Sequence, residues 1–154
     1  MEQITIQNSH ELKILKTGKN RLLGMDVGDK TVGLALSDIT WTIATPHKLI
    51  KRKLNISDYQ EIKKVVDEFV VVGFVVGLPL NMNGTVGPQA QKVRDFIEKL
   101  RLTIDRPIFY WDERLSTVAV TRTLLEADVS RSRRAEVVDK MAATFILQGV
   151  LDMG

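Results

Sequence analysis

Residues 69–80, Phe-Val-Val-Val-Gly-Phe-Val-Val-Gly-Leu-Pro-Leu, form the longest apolar run in the chain. The run falls short of the ~20 residues that a membrane-spanning helix needs, and Gly73, Gly77 and Pro79 interrupt it. Within it, residues 70–77 are mostly β-branched and do not alternate with polar side chains. A strand of that kind is buried on both faces. Apolar material has to cover each face, so the chain is constrained to a sheet with helices on both sides.

The flanking patterns say how that sheet is assembled. Arg21–Val27 and Thr31–Ser37 are apolar runs joined at Gly28-Asp29, which suits a hairpin. Residues 43–50 read as a third strand. Then the period changes. Ser57 and Gln60 make a capping-box pattern, and Tyr59, Ile62, Val65, Val66 and Phe69 follow at helical spacing. Pro88 suits the first turn of a helix striped by Ala90, Val93, Ile97 and Leu100. Residues 107–112 form an aromatic-rich strand. Ser116 is placed to cap a helix to about Ala127, and a last helix opens near Ser132 and runs through Leu151. The order βββαβαβαα predicts an α/β fold with a mixed sheet: three antiparallel strands first, parallel strands afterwards, helices on both faces. Residues 1–20 are an extension ahead of a single domain over 21–154. Within it Ile4 and Ile6 alternate as in an edge strand, and Leu12, Ile14 and Leu15 suit packing on the domain.

At 154 residues the chain can bury a core without staples. It has no cysteine and only two histidines, His10 and His47. Thiolate zinc sites, cysteine nucleophiles and iron–sulfur ligation are excluded. A bound metal would be held mainly by oxygen, as Mg²⁺, Mn²⁺ or Ca²⁺ are. The net charge of +3 points only faintly to a polyanion. The first 20 residues lack the pattern of a signal peptide, so a soluble, cytoplasmic protein without a membrane partner is expected, as monomer or homodimer.

Three acids are out of place. Asp26 interrupts the strand face Leu22, Gly24, Asp26, where an ionised carboxylate is costly unless compensated. It could also start an Asx turn before Gly28. Gly24, Gly28 and Gly33 cluster around it, as glycines do where a backbone or ligand approaches closely. Asp112 and Glu113 end the strand Ile108-Phe109-Tyr110-Trp111 and point to opposite faces, so only one can share a site with Asp26. Asp139 lies in the last helix with Ala142, Ala143 and Ile146 at i+3, i+4 and i+7, an apolar face that offers it no cation. Three converging carboxylates repel one another and raise a pKa. A divalent cation removes that penalty, and such clusters serve two-metal phosphodiester hydrolysis.

Four segments in order now matter together: Gly24-Met25-Asp26-Val27-Gly28-Asp29-Lys30 with Gly33-Leu34-Ala35-Leu36-Ser37-Asp38; Gly77-Leu78-Pro79-Leu80-Asn81-Met82-Asn83-Gly84; Asp112-Glu113-Arg114-Leu115-Ser116-Thr117; and Asp139-Lys140-Met141-Ala142-Ala143. This set resembles the bacterial YqgF/RuvX family over roughly residues 21–151. The resemblance implies an RNase H-like fold and a nuclease that uses Mg²⁺ or Mn²⁺. The family was first viewed as Holliday junction resolvases and later as nucleases that mature the 5′ end of pre-16S rRNA. It further implies Asp26, Glu113 and Asp139 as catalytic metal ligands, with Asp112 the alternate if the register shifts by one. Arg114 matches the motif arginine, and Asn81 and Gly84 lie in the family's glycine-rich loop. The chain departs from the family pattern at Asn83, where Asp is frequent, and at Thr31, where Arg is frequent.

Nucleic-acid contacts are expected from Lys30, Asn81, Arg114, Arg131, Arg133 and Arg134. The last three arginines stand at the start of the last helix, where cations oppose its dipole, so local stability does not account for them. Trp111 sits in an apolar strand and is assigned to core packing rather than base stacking. Two rivals fail. Residues 24–31 imitate a Walker A loop, but Asp29 separates Gly28 from Lys30 and a strand follows. A sugar-kinase or actin-like ATPase needs two lobes and a longer chain. A non-catalytic nucleic-acid-binding module remains the alternative from another class.

Overall fold

The computed structural model describes the backbone at residues 5–6, 9–115 and 131–153, with side chains at 11–115 and 141–153. Its strands are β1 (Thr5–Ile6), β2 (Arg21–Val27), β3 (Thr31–Ser37), β4 (Ala44–Lys51), β5 (Val71–Leu78) and β6 (Ile108–Asp112). Its helices are α1 (Ser9–Lys13), α2 (Ile56–Phe69), α3 (Pro88–Leu100) and α4 (Arg131–Leu151), and Glu113–Leu115 form a single 3₁₀ turn after β6. The strands make one sheet in the order β1-β6-β5-β2-β3-β4. β2, β3 and β4 pair antiparallel, while β2–β5, β5–β6 and β6–β1 pair parallel. The mixed α/β sheet expected from the order of periods is therefore present, and it is built like RNase H.

The apolar run at 69–80 explains the layering. Val71, Phe74 and Val76 of β5 pack with α2 and α3 on one face, together with Met25, Leu34, Ile62 and Ile97. On the other face Val75 packs with Leu22, Ala35 and the α4 residues Ala142, Ala143, Ile146 and Leu147. Alternation along β2 sends Leu23, Met25 and Val27 to the α2/α3 side and Leu22, Gly24 and Asp26 to the α4 side.

Helix α4 lies unusually close to the sheet. A Cβ on Gly24 would stand 2.7 Å from Leu147 Cβ and 2.9 Å from the Ala143 carbonyl oxygen. One on Gly149 would meet the Trp111 ring at 2.9 Å, and one on Gly77 would collide with Ile146 Cδ1. Gln148 fastens the helix laterally, accepting from the Ala44 N–H at 2.8 Å and donating to the Thr42 carbonyl at 3.0 Å. Trp111 is buried, as core packing requires.

Some local expectations shift. α2 is capped by Asn55 rather than Ser57: Asn55 Oδ1 accepts the Ser57 N–H at 2.9 Å. Asp58, only 3% exposed, supports that cap by accepting the Lys53 and Leu54 N–H groups at 2.9 and 3.0 Å. The Asn-x-x-Asp pattern at 55–58, not the Ser-x-x-Gln pattern at 57–60, thus opens the helix. In the extension, Leu12 is buried, Leu15 packs beside it and Ile14 faces solvent. Thr5–Ile6 adds an edge strand to β6. The helix expected from Ser116 to Ala127 lies outside the described residues. Among the described residues no helix is long and apolar enough to cross a membrane.

Two substitutions test this framework. Gly24→Val drives a side chain into the α4 backbone and is expected to cost about 1–3 kcal/mol or more, read as a lowered urea midpoint. Asp58→Ala strands two N–H groups and should cost roughly 2 kcal/mol, against about 1 kcal/mol for Asn55→Ala.

Candidate active site

Asp26 stands near the end of the central strand β2, half-buried on the α4 face. Its neighbour across the β2–β3 ladder is Gly33, so no side chain fills the space beside it there. On the other side Met25 and Val76 are in register, and Asp26 and Gly77 are the next residues of their strands. Over Gly77 lies Glu113: its carboxyl carbon is 3.4 Å from where a Gly77 Cβ would be. Glu113 is 5% exposed. Adjacent strands run about 4.8 Å apart, so the two carboxylates flank one glycine on one face of the sheet.

Asp112 is turned the other way. Ile108 and Tyr110 pack on the α2/α3 side, and Asp112 continues that alternation. Its carboxylate is clamped by Arg114, with Nε at 3.0 and 3.1 Å from the two oxygens and one terminal nitrogen at 2.6 Å. The hydrogen bond from the guanidinium holds the Asp112 carboxyl below its ordinary value of 3.8, against the opposing effect of burial.

Arg114 extends this clamp to the loop between β5 and α3. Its other terminal nitrogen donates to the Met82 carbonyl at 3.0 Å, and its guanidinium packs at 3.4 Å from the Cβ position of Gly84. Gly84 has φ +86°, a conformation suited to glycine. Asn81 braces the same loop, donating to Thr85 Oγ1 at 2.9 Å and sitting where a Cβ on Gly87 would stand. Thus Arg114 and Asn81, read in the sequence as nucleic-acid contacts, also hold the loop's shape. Asp112, read in the sequence as the alternate ligand to Glu113, serves this scaffold instead, and Met82 and Thr85, which the sequence did not mark, complete it. Lys30 is exposed at the hairpin tip.

The third acid belongs to α4. Leu22 shares a hollow with Val150 and Leu151, whereas Gly24 lies under Ala143 and Leu147. Strand and helix therefore run in opposite senses, and the next position on that strand face, Asp26, points along the helix toward the turn containing residue 139. Asp139 is four residues before Ala143 and seven before Ile146, both fully buried against the sheet. The side chains of Asp139, Arg131, Arg133 and Arg134 lie outside the described residues; their backbone forms the N-terminal half of α4. Among the described residues no three His, Asp or Glu side chains gather into a metal cage.

A sheet ordered β4-β3-β2-β5-β6 around a carboxylate on its central strand defines an RNase H-like protein. The chain belongs to the RuvX family: that family's model, described as Holliday junction resolvase, matches residues 20–153. A Paramagnetospirillum magneticum protein named "Putative pre-16S rRNA nuclease" is 61% identical over 132 residues, 86% of this chain and 85% of that one. A Thermoanaerobacter pseudethanolicus protein of the same name is 53% identical over 133 residues, covering 86% and 96%. Among solved structures, T. thermophilus RuvC in complex with Holliday junction substrate superposes with a TM-score of 0.51 at 12% identity, over 86% of this chain and 94% of that one, which shows the shared fold. Family membership makes the chain a nuclease-type hydrolase acting on nucleic acid.

The clamp gives a pH test. A carboxyl held below its ordinary value contributes above that value and is lost as pH falls through the lowered one. Protease cleavage within residues 79–87 should therefore stay flat from pH 8 to 5 and rise only below the ordinary carboxylate range. Asp112→Asn should show the faster cleavage already at pH 7.

Proposed function

We propose that this protein is a cytoplasmic, Mg²⁺- or Mn²⁺-dependent nuclease that hydrolyses phosphodiester bonds in 5′-end maturation of pre-16S rRNA. The observation that carries the reading is the placement of Asp26 and Glu113 on one sheet face, flanking Gly77, beneath the helix that carries Asp139. The donor set is all oxygen, which suits these cations, and the bare glycine between the carboxylates leaves room beside them. Asp26, Glu113 and Asp139 would hold the metal. When bound, divalent ions supply a nucleophilic water at neutral pH and charge stabilisation at the leaving oxygen.

The chain's own residues set the rest. The end of β2 holds Asp26, and the 3₁₀ turn directly after β6 holds Glu113, so both stand beside the rigid sheet. Arg131, Arg133 and Arg134, on the first turn of α4, offer cations to a backbone passing Asp139. Lys30 offers another at the hairpin tip, and the loop braced by Arg114 borders the same edge. The names of the relatives favour pre-16S rRNA. The family's description favours a four-way DNA junction instead.

Cleavage of a 5′-extended 16S rRNA precursor, run beside a four-way DNA junction with Mg²⁺ or Mn²⁺, decides between them. The precursor is expected to be cut to a 5′-phosphate product and the junction left intact. Asp26→Asn and Glu113→Gln should each slow cleavage more than about 100-fold, the factor for losing several kcal/mol of charge stabilisation, while RNA binding persists. Parent-like rates in Asp26→Asn would refute the site. Binding without metal-dependent cleavage by the parent would favour a non-catalytic module.

A further inference from the structure

The sheet does not fix Glu113. The last pair of the β5–β6 ladder is Leu78 opposite Asp112, and Glu113 follows in a three-residue 3₁₀ turn. Such turns have poorer hydrogen-bond geometry than an α-helix and persist only as short pieces. Glu113 is nonetheless buried, with its carboxyl carbon 3.4 Å from the Cβ position of Gly77. Groups outside the ladder have to hold its backbone there.

Asp112 and Arg114, the residues on either side, do this. Asp112 Oδ1 accepts the Arg114 N–H at 3.0 Å, which closes an Asx turn with Glu113 as its middle residue. The Arg114 guanidinium then locks that carboxylate, with Nε at 3.0 Å from Oδ1 and a terminal nitrogen at 2.6 Å from Oδ2. Its other terminal nitrogen reaches the Met82 carbonyl at 3.0 Å. A ring of covalent and hydrogen bonds thus runs from Leu78 along the loop to Met82, across Arg114 to Asp112, and back to Leu78 through the ladder. The Asp112 and Arg114 side chains are 20% and 34% exposed. Pairs open to water to that degree add little to global stability, so the clamp serves placement more than folding.

We propose that Asp112 and Arg114 are positioning residues for the reaction, which set the Glu113 carboxylate where a divalent cation meets it. The assignment rests on the reading of Glu113 as a metal ligand. It gives Arg114 a part other than the phosphate contact expected of a motif arginine: Arg114 acts on the reaction through Glu113. The geometry uses the planar fork, because one guanidinium spans a carboxylate and a carbonyl in fixed directions. Lysine supplies the charge without the fork. A substitution at either residue therefore moves a ligand without touching metal or substrate. Groups that orient metal ligands change metal affinity or activity by about 10–100-fold when removed.

The test compares Asp112→Ala, Asp112→Asn and Arg114→Lys with the parent, using circular dichroism as the fold control. Mn²⁺ is titrated into the RNA-free full chain while paramagnetic broadening of the Asp26 and Gly77 amide signals is followed. The concentration for half-broadening is expected to rise about 10-fold in Asp112→Ala and Arg114→Lys. Asp112→Asn keeps an oxygen for the Arg114 N–H and should recover part of that loss. In precursor cleavage, kcat should fall about 10-fold while KM stays within about two-fold. In a Glu113→Gln background the same substitutions should cost less than about two-fold more, since the carboxylate they place is gone. Unchanged Mn²⁺ dependence, or the full loss repeated in the Glu113→Gln background, would overturn the proposal. So would a raised KM with kcat kept and a salt slope of RNA binding smaller by about 0.7, the mark of one lost phosphate contact. A parent that binds Mn²⁺ without cutting the precursor would sink the nuclease reading, while the broadening still decides the role of Asp112 and Arg114.

Discussion

The arrangement of this face of the sheet depends on how closely α4 can press against it. Side chains normally hold a helix and a sheet about 10 Å apart. Here Gly24 and Gly77 on the strands, and Gly149 on the helix, remove the Cβ atoms that would keep them apart. Dispersion contacts weaken steeply with separation, so the seam gains packing along its whole length. Gln148 then fixes the helix against sliding by engaging the Thr42 carbonyl and the Ala44 N–H. A helix held this way has its N-terminal half running over the layer of Asp26 on β2 and Glu113 just after β6.

The same seam separates two kinds of acidic residue. Asp58 and Asp38 are spent on backbone N–H groups: Asp38 accepts from Thr42 and Ile43 and is thereby held far below the ordinary carboxylate range. Asp112 is spent on Arg114. Each of these has a local partner that fixes a turn or loop. Asp26 and Glu113 stand on the layer that α4 covers, beside Gly33 and Gly77.

The layering, and the change from antiparallel to parallel pairing, were legible in the sequence because a β-branched run without alternation marks a strand buried on both faces and the change of period marks the crossover helices. The oddity of Asp26 was legible for the same reason, since a charge on a buried face breaks a pattern that packing otherwise enforces. Asp112 and Glu113 were not separable from the sequence. Adjacent strand residues oppose each other, and where β6 ends decides which of them faces α4. The true cap of α2 was also ambiguous, because Asn55 and Ser57 both satisfy the local rule. Arg114 illustrates a further limit. A motif arginine beside a proposed site suggests phosphate, yet the bidentate geometry of Asp112 and the open carbonyl of Met82 give it a scaffolding role invisible in one dimension.

The two borders of the sheet are protected differently. β4 carries Pro46, His47, Lys48 and Lys51 in exposed positions, and proline and lysine discourage a foreign strand from adding on. β6 reads Ile-Phe-Tyr-Trp and has no such deterrent of its own. Its N-terminal half is covered by β1, through Thr5 opposite Ile108 and Ile6 opposite Phe109. The extension, which precedes the segment matched to the family, thus pairs with part of the edge that β6 would otherwise leave open. A chain shortened at its N-terminus would present an uncapped, aromatic-rich ladder to every other copy in solution.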